Sequence, residues 1–510
     1  MNAPLDDTPD VLTLGLPRLT AGFDASVRLD RAAHLASHGL ASPLREEWLT
    51  YLAEAVALRG RGGAGFPVAR KMRAVAEGVR RSGVRPAIVV NGCEGEPASR
   101  KDSVLLCRAP HLVLDGALLA AEALDARALV IGVTREAAEV SVRAALAERG
   151  LSDRRGRPLR TRVVRAPDRL VSGEASSLIR TADGGPALPP GRRVRAAEAG
   201  LGGAPTLLCN AETFAQLALA ARLGADGYAA TGTIGEPGTR LLTVSGAVPR
   251  PLVVEVPSGV PLPYVLQMCG ADAAPQGVLV GGYHGAWLDP ATAYGTVVSH
   301  GGLATSGGAL GAGAVLPLSV GTCPLGETLR VAHWLAAESA GQCGPCRLGL
   351  PSLAGALSDV IAGGGRSALE AVRQAAQGVR GRGACGHPDG AARFVVSALN
   401  AFTDDLAAHV LGNGCGRPTI GMLPLSAPGD GSTGDAGGSG NEGGGSERLA
   451  IDWTLCEGHG LCAGLLPELV RLGADGYPAL ADTPLPAKLR GRAQRAVSRC
   501  PALALRLDKT

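Results

Sequence analysis

Apolar and polar positions in the first half of the chain follow two alternating patterns. Short apolar runs at 87–92, 128–133 and 160–166 predict buried parallel strands, and the Ala- and Leu-rich stretches between them predict helices. This alternation of strand and helix is typical of a layered α/β domain.

The pattern changes near residue 239. The β-rich runs that follow are interrupted by Gly and Pro, which predicts a small separate β-rich domain. From about 324 to 410, four segments repeat apolar residues with a helical period and are joined by short connections. These four segments predict a helical bundle.

Residues 427–448 contain mainly Gly, Ser and acidic side chains without apolar periodicity. Such a composition predicts a flexible linker. It separates a large N-terminal body from a C-terminal module of about sixty residues, a size typical of a small domain.

Composition and charge exclude some functions. The chain has 510 residues, of which 46% are hydrophobic and 19% charged, and its net charge is +4. It has no basic run interleaved with aromatic residues, which argues against a nucleic-acid partner. The N-terminus carries acids where a signal peptide carries bases, and no apolar run is long enough to span a membrane. We therefore expect a cytoplasmic location and no direct membrane span.

The segment RGRGGAGFPVARK, residues 59–71, is a candidate anion-binding loop. Its glycines let the backbone approach a ligand closely, and its cations add positive charge for a phosphate. No GKS or GKT closes the loop and no strand leads into it, so neither the Walker pattern nor the ordinary dinucleotide fingerprint applies. A tight turn without a ligand is the alternative interpretation.

Three further polar segments carry a family likeness. VVNGCEGEPASRKD (89–102) begins at the end of a predicted strand, where α/β folds place ligands, and SGEASSL (172–178) and CNAETF (209–214) follow. With the glycine loop, they resemble GRGGAGFP, N-A-D-E-G-E-P, G-E-E-T and N-N-V-E-T of the NADH-oxidising, FMN-binding subunit of bacterial respiratory complex I. Its relatives in NAD-linked hydrogenases and formate dehydrogenases share these runs. The resemblance covers roughly residues 50–410 and includes a β-grasp-like domain at about 239–320.

This resemblance implies an FMN site and an NADH site. The phosphate side of FMN would be held by Gly60, Arg61, Gly62, Gly63, Gly65 and Lys71. The flavin would lie near Asn91, Glu94, Glu174 and Asn210. Phe66 and Glu96 match positions that receive NADH, with Glu96 as the candidate catalytic residue.

Several positions depart from the family pattern, mainly on the pyridine-nucleotide side. Cys93 replaces an acid, Ala175 replaces a glutamate, and Met72 replaces the tryptophan that follows the lysine of the loop. Arginines and alanines around 192–199 replace the K-P-P-F stretch. A site that binds neither FMN nor NADH is therefore an alternative.

The twelve cysteines are unevenly distributed. In a cytoplasmic chain they are interpreted as metal ligands or thiols before disulfides. Four lie singly among apolar residues and are expected to be small buried side chains: Cys93, Cys107, Cys209 and Cys269. Cys343, Cys346 and Cys385 fall in the bundle, where Cys323 and Cys415 flank them, and Cys456, Cys462 and Cys500 fall in the last module. These two groups of three predict two metal centres.

The bundle group stands in ESAGQCGPCRLG, where the flavin-binding subunit of complex I has E-S-C-G-x-C-x-P-C-R. Ala340 occupies the position of the first cysteine, so three of four ligands are present. A 3Fe-4S cluster on three cysteines is the preferred interpretation. A 4Fe-4S cluster with Cys323 or His387 as fourth ligand is an alternative, as is a structural zinc site.

The last module resembles the small single-cluster bacterial ferredoxins that serve cytochromes of the P450 class. They have two cysteines six residues apart and a distant C-P, matched here by Cys456, Cys462 and Cys500. In these ferredoxins a 3Fe-4S cluster is usual when the middle position of the motif is not cysteine, and here that position is His459. A 4Fe-4S cluster with His459 as the fourth ligand is the alternative. A disulfide with one free thiol is the other alternative.

Together these features predict an electron-transfer iron-sulfur flavoprotein, passing electrons from NAD(P)H through FMN and a bundle cluster to its tethered ferredoxin. The expected units are an FMN-binding α/β domain (1–238), a β-grasp-like domain (239–320), a helical-bundle iron-sulfur domain (321–411), a linker (412–448) and an α+β ferredoxin domain (449–510). The expected partners are redox proteins, with a membrane subunit or a cytochrome as candidates, so the chain could lie at the periphery of a membrane redox complex. A relay protein that binds clusters but not NADH is the alternative function.

Overall fold

A computed structural model describes residues 9–40, 42–149, 159–189, 195–426, 447–452, 455–456, 460–472, 477–480, 484–500 and 502–509. Its strands are β1 Asp10–Thr13, β2 Ala87–Gly92, β3 Ala128–Val133, β4 Arg160–Arg165, β5 Thr206–Asn210, β6 Thr239–Val244, β7 Leu252–Pro257, β8 Gly277–Val280, β9 Ala286–Leu288, β10 Ala314–Leu318, β11 Glu447–Ile451, β12 Val470–Leu472, β13 Pro478–Leu480 and β14 Leu505–Lys509.

The α-helices are α1 Arg31–His38, α2 Glu46–Ala55, α3 Val68–Ser82, α4 Lys101–Arg108, α5 Pro110–Ala123, α6 Glu136–Ala147, α7 Ala175–Ala182, α8 Ala196–Ala199, α9 Ala211–Ala229, α10 Leu262–Met268, α11 Pro290–Tyr294, α12 His300–Thr305, α13 Pro324–Ala337, α14 Leu350–Ile361, α15 Gly365–Val379, α16 His387–Ala401, α17 Thr403–Val410, α18 Leu461–Leu465 and α19 Arg490–Arg499. Shorter helical turns cover Leu170–Gly173, Leu201–Gly203, Pro345–Gly349 and Ala487–Leu489.

The first sheet has four parallel strands in the order β4-β3-β2-β5. Its central strand β2 is buried on both faces, as expected for a parallel sheet covered by helices. The three strands predicted from apolar runs are present, and the third ends one residue earlier than expected, at Arg165. The carboxyl ends of β2 and β5 lie side by side, with Asn91 opposite Asn210.

The second sheet is mixed and has six strands in the order β1-β7-β6-β10-β8-β9. Strand β1 pairs in parallel with β7, Asp10 opposite Leu252. The first strand of the chain therefore belongs to this sheet, although the predicted boundary at 238/239 assigns it to the flavin domain. The reason is a long-range pairing: the Glu255 carboxylate accepts the backbone N–H groups of Leu19 and Thr20, which follow β1.

The helical bundle consists of α13 to α17, and its core is filled by Leu, Val and Ala with a few aromatic side chains. Tyr283 of the second sheet domain packs edge-on against Trp334 and Phe394 of the bundle. The apolar core thus continues from the sheet into the bundle and holds the two together.

Residues 412–426, which we call the C-terminal strap, lie against the bundle. Leu423 is fully buried, and the Glu327 carboxylate accepts backbone N–H groups of Gly421, Met422 and Leu423. The predicted flexible linker at 412–448 is therefore wrong for this first part, because a buried carboxylate of α13 satisfies the backbone of the strap. The remainder of the predicted linker up to residue 446 lies outside the described residues.

The C-terminal module pairs β11 with β14 in an antiparallel ribbon, and β12 with β13 in a second one. Helices α18 and α19 pack together, and a small apolar core includes Leu466, Val470 and Ala493. His459 and Pro501 lie outside the described residues.

Within the described ranges, no single helix is long and apolar enough to cross a membrane. One pair of consecutive helices, α4 and α5, meets the length and composition requirement together but is bent by 93°. The bend falls at Pro110, which begins α5 and cannot continue the hydrogen bonding of α4.

Candidate functional site

A cavity of about 420 Å³ lies where the two sheets and the bundle meet. That volume falls within the range of roughly 300–1,000 Å³ seen for small-molecule sites. One wall is the glycine loop from Arg61 to Ala64, and the floor is the end of β2 with Asn91 and Glu94. The opposite wall belongs to the bundle and includes Cys385.

The glycine loop is closed at its base by a bridge between Arg59 and Pro67. At its tip Gly63 pairs with Gly311 of the second sheet domain, and its φ of +107° is one that residues with a Cβ rarely adopt. Gly65 also has a positive φ, and a Cβ there would lie 2.6 Å from the His300 ring. The loop therefore requires glycine at these two positions.

Arg61 borders the cavity and carries a buried guanidinium group. Its side chain is only 7% exposed, and its backbone N–H donates to Thr213 Oγ1 at 2.8 Å. Its Nε lies 3.9 Å from Glu212 Oε1 and has no hydrogen-bond partner among the described residues. Its Nη2 donates to Thr239 O at 3.3 Å, so the guanidinium is a fixed, buried positive charge beside the loop.

A buried ion cluster beside the cavity was missed by the sequence interpretation. Lys101 Nζ lies 2.9 Å from Asp102 Oδ1 and 3.1 Å from Glu212 Oε2. It also donates to Asn210 Oδ1, so the lysine joins the start of α4 to the end of β5. Lys101 and Glu212 both lie inside segments that the sequence singles out, but they are more than 100 residues apart and give no local signal of their contact.

Glu94 lines the cavity but uses its carboxylate to cap helix α4. Its oxygens accept the hydroxyls of Ser99 and Ser103 and the backbone N–H groups of Asp102 and Ser103. Burial raises the pKa of Glu94, but Lys101 and the serine donors outweigh it and hold the pKa below its ordinary value. Glu94 is therefore an ionised residue that shapes the cavity floor.

Glu96 is the predicted catalytic residue, and it lies in the cavity wall. Its Oε2 accepts the Tyr283 N–H at 2.9 Å, which joins the first domain to the second sheet domain. Burial raises the pKa of Glu96 from its ordinary 4.5 to about 7, although the amides of Tyr283 and Ala98 oppose this. The carboxyl is thus partly protonated near neutral pH.

The raised pKa of Glu96 makes the free energy of unfolding depend on pH, and we expect Glu96→Gln to remove this dependence. Because the folded state binds the proton more tightly than the unfolded state, stability falls by up to roughly 3 kcal/mol as the pH rises from 4.5 to 7. We expect the thermal unfolding midpoints of wild type and Glu96→Gln to be similar at about pH 5, with the variant higher at about pH 8. Parallel curves in a pH series of calorimetric scans would contradict this.

Three other predicted residues border the cavity and also fix its walls. Asn91 Nδ2 donates to Gly173 O at 2.8 Å, and Asn210 caps helix α9 by accepting the Glu212 N–H. Glu174 caps helix α7 by accepting the Ser177 N–H at 2.9 Å. The three residues come from different strand ends and turns, yet the structure brings them to one cavity.

Four predicted residues do not border this cavity. Gly60 borders a smaller neighbouring cavity with Arg61 and Lys101, and Gly65 lies against His300. Phe66 is 45% exposed on the outside of the loop. Lys71 points its Nζ to Leu208 O at 3.1 Å, so its ammonium holds β5 in place.

Cys93, the replacement for the acid of the family pattern, lies in the cavity wall. Burial raises the pKa of its thiol to about 12, so the side chain is neutral. The wall therefore has one negative charge fewer than the family pattern provides at that position.

The bundle cysteines come together where the cavity meets the bundle. Cys343 Sγ and Cys346 Sγ are 3.6 Å apart in the turn before helix α14, and the backbone N–H of Ala384 donates to Cys343. Hydrogen bonding from Cys346 lowers the pKa of Cys343 to about 6. Burial raises the pKa of Cys385 to about 11, and the charges of Glu174 and Cys343 act in the same direction. The three predicted ligands thus form one group.

Neither candidate for a fourth ligand is available to this group: Cys323 is too far away, and both ring nitrogens of His387 are hydrogen-bonded. Cys323 begins helix α13, whose 14 residues span about 20 Å, at the end remote from Ala340. His387 has both ring nitrogens occupied, one 2.8 Å from Leu335 O and the other 2.9 Å from His284 Nε2. The three-cysteine arrangement is the one that the described side chains offer.

The ferredoxin cysteines also converge. Cys456, Cys462 and Cys500 line one small cavity together with Ile451 and Leu505. Burial raises the pKa of Cys462, and the charges of Cys500 and Cys456 act in the same direction. Three thiols around one cavity suit an iron-sulfur cluster.

The main cavity fits FMN by its donors and its shape. The buried guanidinium of Arg61 adds positive charge near the glycine loop, and Gly62 and Gly63 leave space in the cavity wall that a side chain would occupy. Asn91 and Asn210 supply polar groups at the floor, and apolar Leu170 and Val171 close one side. These features are those of a pocket for a phosphorylated ring system.

Family models match three parts of the chain. The Nuo51 FMN-binding domain matches residues 53–219, and the NADH-ubiquinone oxidoreductase-F iron-sulfur binding region matches residues 327–409. The 4Fe-4S single cluster domain matches residues 449–507. These matches confirm the predicted FMN-binding and iron-sulfur domains and the ferredoxin, while the number of irons in each cluster stays a prediction.

Known proteins match most of the chain. The F subunit of NADH-quinone oxidoreductase from Streptomyces coelicolor is 31% identical over 389 residues, 72% of this chain and 84% of the relative. Its counterpart from Mycobacterium bovis is 30% identical over 377 residues, covering 70% of this chain and 83% of the relative. A crystal structure of an NAD+-reducing NiFe-hydrogenase in the H2-reduced state has a TM-score of 0.67 at 27% identity, covering 80% of this chain and 70% of that one. The chain belongs to the family of the NADH-quinone oxidoreductase F subunits.

Proposed function

We propose that this electron-transfer flavoprotein oxidises NADH at the main cavity and passes electrons through the bundle cluster to its own ferredoxin domain. The observation that carries the proposal is the position of Cys385, which lines the flavin cavity and belongs to the bundle cysteine group. A flavin bound in the cavity, as electron donor, and a cluster bound to Cys385 would therefore be direct neighbours.

The chain's own residues would prepare the cavity for this reaction. FMN, when bound, supplies the conversion of a two-electron hydride into single electrons. Arg61, Gly62 and Gly63 would hold its phosphate side, and Asn91 and Asn210 would position the ring. Glu96, with its pKa of about 7, could hold a proton beside the nicotinamide side near neutral pH.

The proposed domain roles follow the predicted order. The four-stranded parallel sheet forms the flavin domain, and the six-stranded mixed sheet forms the β-grasp-like unit that closes the cavity through Gly281 and Gly311. The Arg169–Glu338 ion pair, 3.6 Å long, joins the flavin domain to the turn that precedes the bundle cysteines. It supports a fixed spacing between flavin and cluster.

The ferredoxin domain contacts the bundle at the cysteine turn itself. Gly344, between Cys343 and Cys346, lies so close to helix α19 that a Cβ on it would be 2.8 Å from Ser498 O. Ser498 precedes the ferredoxin ligand Cys500 by two residues. This contact supports electron transfer from the bundle cluster to the ferredoxin cluster.

Gly344→Ala tests that contact. The glycine has ordinary helical φ and ψ, so alanine fits its backbone, but the added methyl would push the ferredoxin domain away from the turn. We expect unchanged iron content and a several-fold slower reduction of the ferredoxin cluster by NADH. Gly355→Ala, a helical glycine with open space around it, is the matched control and should leave the rate unchanged. Equal rates in both variants would show that the contact is not used.

The proposed partners are other redox proteins. The relatives are named as part of an NADH-quinone oxidoreductase and as an NAD+-reducing hydrogenase, which supports membership of a larger redox assembly. A membrane subunit or a cytochrome that accepts electrons from the ferredoxin domain is the proposed final acceptor. The chain would then act at the periphery of a membrane redox complex in the cytoplasm.

A second candidate is a relay protein that binds clusters but not NADH. The neutral Cys93 in the cavity wall and Ala175 in place of a glutamate favour it. Addition of NADH to the purified protein without oxygen separates the two functions. Bleaching of the flavin absorption supports NADH oxidation, and an unchanged spectrum in protein with full FMN content supports the relay.

A further inference from the structure

A third group of metal-binding side chains lies apart from the flavin cavity and both cluster sites. Cys323, His409 and Cys415 place their ligand atoms within 4.8 Å of one another. Among the described residues, which include all six predicted cluster cysteines, this is the sole group of three His, Cys, Asp or Glu side chains so tightly gathered. A cluster spreads its cysteines over several irons, whereas one ion draws its ligands together.

The separation of the donor atoms matches a single tetrahedral ion. Cys323 Sγ and His409 Nε2 are 3.4 Å apart. Bonds of about 2.3 Å to sulfur and 2.0 Å to nitrogen, at a tetrahedral angle, would place two such ligands about 3.5 Å apart. The side chains would thus need little movement to bind the ion.

The surroundings orient the histidine as a ligand. His409 Nδ1 lies 3.1 Å from Ile361 O, which can only accept a hydrogen bond, so the ring proton belongs on Nδ1. Nε2 is then left with its lone pair directed at Cys323. A second hydrogen bond of this kind is the usual support of a metal-bound histidine.

The cysteines are held as well. Cys323 caps helix α13, where its sulfur accepts the Gly326 N–H at 3.3 Å, and its own N–H donates to Pro418 O at 2.8 Å. Cys415 lies in the C-terminal strap and is half-buried, so it reaches the site from the solvent side.

We propose that Cys323, His409 and Cys415 bind one Zn²⁺ ion, which fastens the C-terminal strap to the bundle. Two thiolates and one imidazole suit this ion, and a water would complete the tetrahedron on the half-exposed side. The ion joins the start of α13, the end of α17 and the strap. It fixes the point from which the chain continues towards the ferredoxin domain.

The test is a metal analysis of the full-length protein purified without oxygen and reconstituted with Zn²⁺. We expect one zinc per chain, lost in Cys415→Ser and in His409→Gln, with iron unchanged in both. Cys269→Ser, a buried cysteine remote from the site, is the matched control and should keep the zinc. Substitution with Co²⁺ should give the absorption bands of a tetrahedral thiolate site in wild type and not in Cys415→Ser.

Three results would overturn the zinc site. Zinc that persists in Cys415→Ser and His409→Gln lies elsewhere, and a protein that binds no zinc after reconstitution has no such site. An intact mass lower by two hydrogens, with Cys323 linked to Cys415, would identify a disulfide instead. The fastening role is tested by hydrogen exchange at the Gly421 and Met422 amides, which should quicken in Cys415→Ser; unchanged exchange would refute it.

Discussion

Gly63→Val is expected to remove most of the bound flavin from a protein that still folds. Gly63 has a φ of +107° and pairs with Gly311 across the mouth of the cavity. A β-branched residue there costs about 1–2 kcal/mol of backbone strain. Relief of that strain moves the loop and should lower flavin affinity by roughly five- to thirtyfold, because roughly 1.4 kcal/mol is a factor of ten.

The measurement is the ratio of flavin to protein after gel filtration. Gly83→Val is the matched control, since Gly83 also has a positive φ, ends helix α3 and has open space around its Cβ position. That variant should suffer similar strain and retain its flavin. Full flavin content in a folded Gly63→Val protein would refute the placement of FMN at this loop.

Cys385→Ser is expected to remove the iron of the bundle and leave that of the ferredoxin. With three cysteines available, loss of one leaves the thiolates of Cys343 and Cys346, too few to hold a cluster through purification. Two clusters of three or four irons give roughly six to eight irons per chain, and the variant should keep about half. Flavin should remain bound, because Cys385 contributes one wall of the cavity only.

Cys107→Ser provides the control, since Cys107 is buried in the core of the flavin domain far from both groups. It should keep all of its iron. Paramagnetic resonance of the oxidised protein then distinguishes the cluster types, because an oxidised 3Fe-4S centre gives a signal and an oxidised 4Fe-4S centre of the ferredoxin kind is silent. Zinc in the bundle group without iron would contradict the cluster assignment.

Local sequence patterns were sufficient for the elements and motifs that depend on neighbours in the chain. The apolar run that became β2 ends at the predicted residue, and its Asn91 lies at the cavity floor. The pair Cys343 and Cys346 could be recognised because both ligands lie in one turn. When all residues of a motif lie within a few positions of one another, their spacing in the sequence largely determines their relative positions in the structure.

Features that depend on distant contacts could not be predicted in this way. Strand β1 joins the second sheet through a pairing across more than 230 residues, which no local period reveals. Lys101 lies in a polar segment that is typical of a protein surface, and its burial also relies on Glu212, which comes from a segment more than 100 residues away. The group of Cys323, His409 and Cys415 combines a helix start, a helix end and the strap.

The central claim is that electrons from NADH travel within one chain through the flavin and the bundle cluster to the ferredoxin domain. Rapid mixing of the anaerobic protein with NADH, with the ferredoxin cluster followed by freeze-quench paramagnetic resonance, tests it most directly. The account predicts reduction of that cluster at a rate independent of protein concentration, and its loss in Cys385→Ser. A flavin that is reduced while the wild-type ferredoxin cluster stays oxidised, or a rate that rises with protein concentration, would contradict it.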